Sequence, residues 1–120
     1  MKNCFSVLLI LFSLNLVSCE HNDDTEIACD IKDPVNNLSW LKAKVETFEK
    51  SNMCENNACN LRIYKVNSGN QQLIVTWVTG PAVDGIPQYY TCTGELIICT
   101  NDDPCPNISA AELIWTSKSD

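Results

Sequence analysis

Eight cysteines are the residues of this chain that could carry the most chemistry. A cysteine thiol can act as a nucleophile, hold a zinc ion, pair in a disulfide or accept a lipid. Nucleophilic catalysis needs a base beside the thiol, and the 120-residue chain has a single histidine, His21. His21 lies in a polar segment with no ordered neighbour to orient it, so the sequence argues against a Cys-His or Ser-His-Asp site.

Carboxylate pairs are the other residues that could do acid–base chemistry. They occur at Asp23-Asp24 and at Asp102-Asp103. General acid–base catalysis needs a concave, partly dry site, whereas both pairs lie in polar or turn-like segments. The sequence therefore predicts no catalytic residue and no enzyme.

The N-terminal segment carries the most specific motif. Lys2 precedes an apolar run, Phe5 to Val17, which has the length of a signal peptide and is too short to cross a membrane as a helix. The run ends in Leu16-Val17-Ser18-Cys19, with an aliphatic residue three positions before the cysteine and a small residue directly before it. This pattern resembles the lipobox of bacterial lipoproteins. The resemblance implies loss of residues 1–18 as a signal peptide and acylation of the Cys19 thiol.

An acylated Cys19 would anchor the protein to a membrane, because each buried methylene contributes about 0.8 kcal/mol and the lipid of a mature lipoprotein carries several chains. The alternative is an ordinary signal peptide that contains a cysteine. Two sequons, Asn37-Leu38-Ser39 and Asn107-Ile108-Ser109, suit a secreted eukaryotic protein but also arise by chance in an Asn-rich chain. We favour the lipoprotein and expect it in the cell envelope, at the outer membrane.

Six cysteines remain once Cys4 leaves with the signal peptide and Cys19 carries lipid. An even number in a small exported domain predicts three disulfides. Cys54 and Cys59 bracket a short Asn-rich segment that suits a local bond, and the other four can share two bonds, one of them tying the N-terminal segment to the sheet. Zinc is the rival interpretation, but paired Cys-x-x-Cys spacing is absent and no histidine lies among these cysteines. The six disulfide candidates are Cys29, Cys54, Cys59, Cys92, Cys99 and Cys105.

The composition is that of one small acidic domain. The formal net charge is −7, and it becomes −8 when Lys2 leaves with residues 1–18. An excess of acidic groups argues against binding to nucleic acid or to an anionic membrane surface. The sequence predicts neither a metal site nor a cofactor.

Residues 19–28 are predicted to form a flexible tether, because they are polar, acidic and free of aromatic side chains. Acidic clusters of this kind, directly after a lipidated cysteine, resemble the surface-export signals of Bacteroidota lipoproteins. That resemblance implies a surface-facing domain, and a merely solvated tether is the alternative. The acidic residues are Glu20, Asp23, Asp24 and Glu26.

Residues 29–120 are predicted to form a single disulfide-tied α+β domain. The spacing of Leu38, Leu41, Val45 and Phe48 predicts an amphipathic helix over residues 37–51, with Asn37 as its N-cap. Such a helix packs its apolar stripe on the strands that follow. One N-terminal helix on a small antiparallel sheet is therefore the expected fold class.

The strands are predicted from β-prone residues that flank turn signals. Residues 61–66 and 72–79 form one hairpin around the turn at 67–70, and residues 89–92 and 95–100 form a second around Thr93-Gly94. Leu113-Ile114-Trp115 either adds a short final strand or docks the tail.

The segment Gly80–Gln88 is the strongest candidate for a binding site. It is rich in glycine and proline and carries a single charge. Rigid loops with apolar tips are a common means by which small disulfide-tied inhibitors engage partners. The alternative is an ordinary connection whose apolar side chains fold back onto the core. The predicted binding residues are Val83, Asp84, Ile86 and Tyr89.

The mature segment also resembles a group of small uncharacterised Bacteroidota lipoproteins. The resembling features are the Cys29-Asp30 opening that runs to Asp33-Pro34, the helix start at 38–42, the hairpin at 89–99 and the Leu113-Ile114-Trp115 ending. This group carries no activity over to named residues. The sequence thus predicts a membrane-anchored lipoprotein with a non-enzymatic domain that binds a protein, as an inhibitor or immunity-type module. A structural or accessory envelope lipoprotein without a tight partner is the alternative.

Overall fold

The computed structural model describes residues 26–81 and 83–117, which form a mixed α+β fold with one main helix and a larger share of antiparallel sheet. The predicted signal peptide (residues 1–18), Cys19 and His21 lie outside the described residues. The strands are β1 (Ile27–Ala28), β2 (Ile31–Lys32), β3 (Asn60–Ser68), β4 (Gln71–Gly80), β5 (Val83–Asp84), β6 (Gln88–Tyr90), β7 (Leu96–Ile97) and β8 (Glu112–Thr116). The helices are α1 (Pro34–Asn37) and α2 (Ser39–Lys50), with 3₁₀ turns at Glu55–Asn57 and Ile108–Ala110.

The described part of the predicted tether belongs to the folded domain. The Asp33 amide donates to the Glu26 carbonyl at 2.8 Å, and the Lys65 ammonium donates to the Ile27 carbonyl at 2.7 Å. Ala28 is fully buried. Residues 26–28 are thus ordered by β1–β2 pairing and by β3, ahead of the predicted domain start at Cys29, and residues 19–25 of the tether lie outside the described residues.

The helix predicted over residues 37–51 is present as α2, which begins after Leu38, and a separate short helix, α1, precedes it. Pro34 starts a first helical turn, as its fixed φ favours, and Leu38 then takes an extended conformation with its side chain buried before α2 begins. The prediction that Asn37 caps the helix is wrong, because its side-chain amide donates to the Lys32 carbonyl at 2.8 Å instead. Leu41 and Val45 are buried, so the amphipathic face was assigned correctly.

The six-stranded sheet has the order β7-β6-β4-β3-β8, with β5 paired to the end of β4. β3 and β4 form a long hairpin around Gly69, whose φ of 63° suits a residue without a Cβ. Of the two alternatives for the tail, the structure shows the strand, because β8 pairs antiparallel with β3. The second predicted hairpin is also present, as β6 and β7.

Both faces of the sheet are covered by apolar side chains. On the first face, Leu41 and Val45 of α2 belong to one core with Ile63 and Ile74. The second face is partly covered by a chain segment without regular strands, from which Cys105, Ile108 and Ala111 pack on the sheet. The buried residues of this second core are Val66, Leu73, Val75 and Tyr89.

All six predicted disulfide candidates are paired. The Cα–Cα distances are 5.7 Å for Cys29–Cys92, 4.7 Å for Cys54–Cys59 and 5.2 Å for Cys99–Cys105, within the usual range for disulfides. The first bond joins the β1–β2 turn to the end of β6, which is the predicted link between the N-terminal segment and the sheet. The second is the predicted local bond.

Trp40 fixes α2 to the turn that follows β6. Its indole N–H donates to the Cys92 carbonyl at 3.0 Å, and its ring centroid lies 5.4 Å from that of Tyr90. Gly94 lies against the indole with φ of 94°, and a Cβ at this position would lie 2.8 Å from Trp40 Cγ. The turn therefore requires glycine for two reasons, its backbone conformation and its close approach to Trp40.

Candidate functional site

The predicted loop Gly80–Gln88 is an edge of the sheet interrupted by a bulge. β5 pairs with β4 at Thr79, and β6 pairs with β4 at Thr76. Between these two points, Gly85–Pro87 places three residues opposite the two residues Trp77 and Val78. An extra residue on one strand bends that strand and turns a side chain out of the ladder.

The backbone of the bulge is held in place on β4. The indole N–H of Trp77 donates to the Gly85 carbonyl at 3.0 Å. A Cβ at Gly85 would overlap the carbonyl oxygen of Val78, so the close approach of the two strands depends on glycine. The bulge is consequently fixed on β4 at Gly85, by the hydrogen bond from Trp77 and by the close approach to Val78.

Ile86, one of the predicted binding residues, is the most exposed large apolar side chain in the described part of the chain, at 80%. Val83 is half-buried within β5, and Asp84, the second residue of that strand, pairs with Thr79 of β4. Ile86 is therefore an exposed apolar side chain on a fixed backbone.

Tyr89 lies in the core, away from the exposed tip. It is 7% exposed, and its hydroxyl donates to the Pro106 carbonyl at 2.7 Å. Burial raises the pKa of the Tyr89 hydroxyl above its ordinary value. Of the predicted binding residues, Tyr89 thus supports the fold and offers little surface to a partner.

Beside the bulge lies a group of side chains that the sequence analysis missed. Arg62 pairs across the hairpin with Trp77, so both lie on the face opposite α2. The Tyr64 ring lies on the same face, with its centroid 6.4 Å from that of Trp77. Arg62, the only arginine in the chain, is exposed, and no ion pair joins it to a described carboxylate.

We call this set the Trp77 surface and define it as Arg62, Tyr64, Trp77 and Ile86. Tryptophan, tyrosine and arginine are the residue types enriched at the centres of protein interfaces. Alternation along β3 and β4 could have placed the first three residues on one face, but their position beside Ile86 depends on the bulge, for which the sequence has no local signal.

Within residues 26–81 and 83–117, no group of three or more histidine, cysteine, aspartate or glutamate side chains is arranged to hold a metal ion. No helix in the same ranges is long and apolar enough to span a membrane. The predicted lipidation site, Cys19, lies outside these ranges.

Comparisons of the chain with protein-family models, with curated proteins and with solved structures find no match to any of them.

Proposed function

We propose that this chain is a membrane-anchored lipoprotein of the cell envelope whose folded domain binds an exported protein without catalysing a reaction. Acylation of Cys19 supplies the anchor, and the Trp77 surface supplies the contact. In this role the domain acts as an inhibitor or immunity-type module.

The observation that carries the proposal is the exposed Ile86 on its fixed bulge. An apolar side chain that projects from a rigid backbone loses little conformational freedom on binding, so more of its burial contributes to affinity. Trp77 lies on β4 opposite the bulge, and Tyr64 and Arg62 lie on the same face of the sheet as Trp77, each with part of its surface accessible. No described carboxylate forms an ion pair with Arg62. A partner with an apolar pocket and an acidic group near its rim would complement this arrangement.

The envelope location rests on the sequence and on the disulfides. The motif Leu16-Val17-Ser18-Cys19 resembles a lipobox, and three disulfides suit a compartment outside the reducing cytoplasm. The absence of catalysis rests on the single histidine, His21, which the sequence places ahead of the folded domain.

Site-specific photocrosslinking in the source cells tests the contact. A photoreactive amino acid replaces Ile86 in one variant of the full chain and Ile98 in a matched control. Ile98 is also strongly exposed, at 71%, but follows β7. We expect one discrete protein adduct from position 86 and none from position 98, and Ile86→Ala should weaken binding to the identified protein by at least about tenfold.

Equal crosslinking from both positions, or no crosslinking from either, would contradict the proposal. Either outcome would favour the structural or accessory role.

The anchor has a separate test. Cys19→Ala should move the protein out of the membrane fraction, and unchanged fractionation would refute the lipoprotein part alone.

A further inference from the structure

A groove of about 390 Å³ opens on the face of the sheet that carries α2. Trp40 and Phe48 of α2 line one side, Ile63 and Thr76 line the sheet side, and Met53 lies at the rim. The volume is near the lower end of the roughly 300–1,000 Å³ that small-ligand sites occupy. None of these residues belongs to the Trp77 surface, so the groove is separate from the proposed protein contact.

Thr76 is a buried polar residue that faces the groove. It is only 8% exposed, it lines the groove, and its hydroxyl makes no hydrogen bond with any residue in the described part of the chain. Its strand position, between Ile74 and Val78 of the same face, directs the side chain towards α2. Buried hydroxyls in native proteins are nearly always paired, so an orphan that faces a groove indicates a bound partner.

Among the described residues, Lys44 is the only charged one that lines the groove. Its ammonium lies 4.6 Å from the ring centroid of Tyr90, a cation–π contact that holds the charge in position. No ion pair joins Lys44 to a carboxylate among the described residues, although the chain has a net charge of −7. The charge therefore remains available to an anion from outside.

The sheet register brings these two groups together. Tyr90, which holds Lys44, lies on β6, and the cross-strand neighbour of Thr76 on that strand is Gln88. Tyr90 donates from its hydroxyl to the Gln88 side chain at 3.1 Å, so Tyr90 and Thr76 flank the same point of the sheet. Lys44 and Thr76 thus both line the groove in the neighbourhood of Tyr90.

We propose that this groove binds an apolar carboxylate of the medium-chain fatty acid type. The aliphatic chain lies against Trp40, Phe48 and Met53, the carboxylate pairs with the Lys44 ammonium, and the Thr76 hydroxyl donates to a carboxylate oxygen. The flexible thioether of Met53 allows the rim to adapt to chains of different length. Charge and shape thus select a ligand with one anionic end and an unbranched apolar body.

Photolabelling of the full chain in phosphatidylcholine nanodiscs tests the proposal. The probe is decanoate with a photoreactive diazirine in its chain, and labelled peptides are mapped by mass spectrometry. Labelling should be saturable, fall on peptides that line the groove, and be competed by decanoate but not by decanol, which lacks the carboxylate.

Two pairs of variants identify the groups that recognise the carboxylate. Lys44→Gln should reduce saturable labelling about tenfold, because it removes a charge-assisted contact, whereas Lys42→Gln on the same helix should leave labelling unchanged. Thr76→Val should also reduce it, whereas Thr79→Val, on the opposite face of β4, should not. Lys44 is exposed, so its substitution tests the site without endangering the fold.

Three results would overturn the proposal: labelling that does not saturate, competition by decanol as effective as by decanoate, or equal loss of labelling in the Lys44 and Lys42 variants. Equal competition by decanol would mean that any apolar group fills the groove, including a side chain of a protein partner. The proposed protein contact at Ile86 has its own crosslinking test, so either proposal can fail alone.

Discussion

Thr76→Val should make this protein more stable, although most substitutions of buried residues destabilise. The Thr76 side chain is 8% exposed and its hydroxyl has no hydrogen-bond partner among the described residues. A buried hydroxyl without a partner costs about 1–3 kcal/mol, and valine has the same branched shape and an equal or better preference for strands. Because the groove is open to solvent, we expect the lower end of that range, a gain of about 1 kcal/mol.

Thermal unfolding with the disulfides intact, followed by near-ultraviolet circular dichroism, measures this gain. For a domain of this size, 1 kcal/mol corresponds to a rise in Tm of roughly 4–8 °C. Thr79→Val is the matched control, and its Tm should stay within about 2 °C of the wild-type value because its hydroxyl faces the other side of the sheet, away from the groove. Saturating decanoate should stabilise the wild type by mass action and should stabilise Thr76→Val less.

A lower Tm for Thr76→Val would refute the reasoning. It would mean that the hydroxyl makes a favourable interaction in the unliganded fold, so that no orphan group faces the groove. The carboxylate site would then lose the observation that distinguishes it from an ordinary apolar surface depression.

Three further predictions concern the fold. Replacing both Cys29 and Cys92 by serine should lower the free energy of unfolding by about 4 kcal/mol, because their separation of 63 residues closes a long loop. This loss is roughly twice that expected from removing either short-loop disulfide, and urea denaturation of the three double-serine variants measures the difference. Burial raises the pKa of Tyr89, so above the ordinary tyrosine pKa the native state keeps a proton that the unfolded chain loses. The free energy of unfolding should therefore fall as the pH rises past that value. In urea titrations at a series of pH values, Tyr89→Phe should show a smaller fall than the wild type. Gly94→Ala should lower Tm more than Gly69→Ala, because both glycines have positive φ but only the first meets a tryptophan ring.

The fold class could be predicted because its elements have local signals. The spacing of Leu41, Val45 and Phe48 predicted α2, and the turn residues around Gly69 predicted the β3–β4 hairpin. The start of the helix was misplaced because Asn37 is a common N-cap, whereas the burial of Leu38 and the early turn at Pro34 decide the real boundary. Tertiary burial overrode a local preference at that point.

The candidate sites could be predicted only in part. Ile86 was identified from composition, but its exposure depends on a bulge that arises from the joint pairing of β5 and β6 with β4. Nothing local marks Thr76, because an alternating strand pattern does not show whether a buried hydroxyl will meet a partner. Tyr89 was predicted to bind a partner because it directly follows the apolar loop. Both faces of the sheet are covered at this point, so Tyr89 and Tyr90 are buried on opposite faces.

The disulfide between Cys54 and Cys59 has a consequence for the order in which the thiols oxidise. If the chain emerges from its N-terminus into an oxidising compartment, Cys29 and Cys54 are the first two thiols of the folded domain to appear. Cys59 lies five residues after Cys54, whereas Cys29 lies 25 residues before Cys54. The lower entropy cost of closing the shorter loop favours the Cys54–Cys59 bond over a Cys29–Cys54 bond by about 1.4 kcal/mol, or tenfold. The short bond thereby removes Cys54 from competition and leaves Cys29 unpaired until Cys92 arrives. The Asn-rich loop thus protects Cys29 from mispairing with Cys54. Cys92 has Cys99 only seven residues after it, so the pairing of Cys92 with Cys29 depends on the fold and not on loop length.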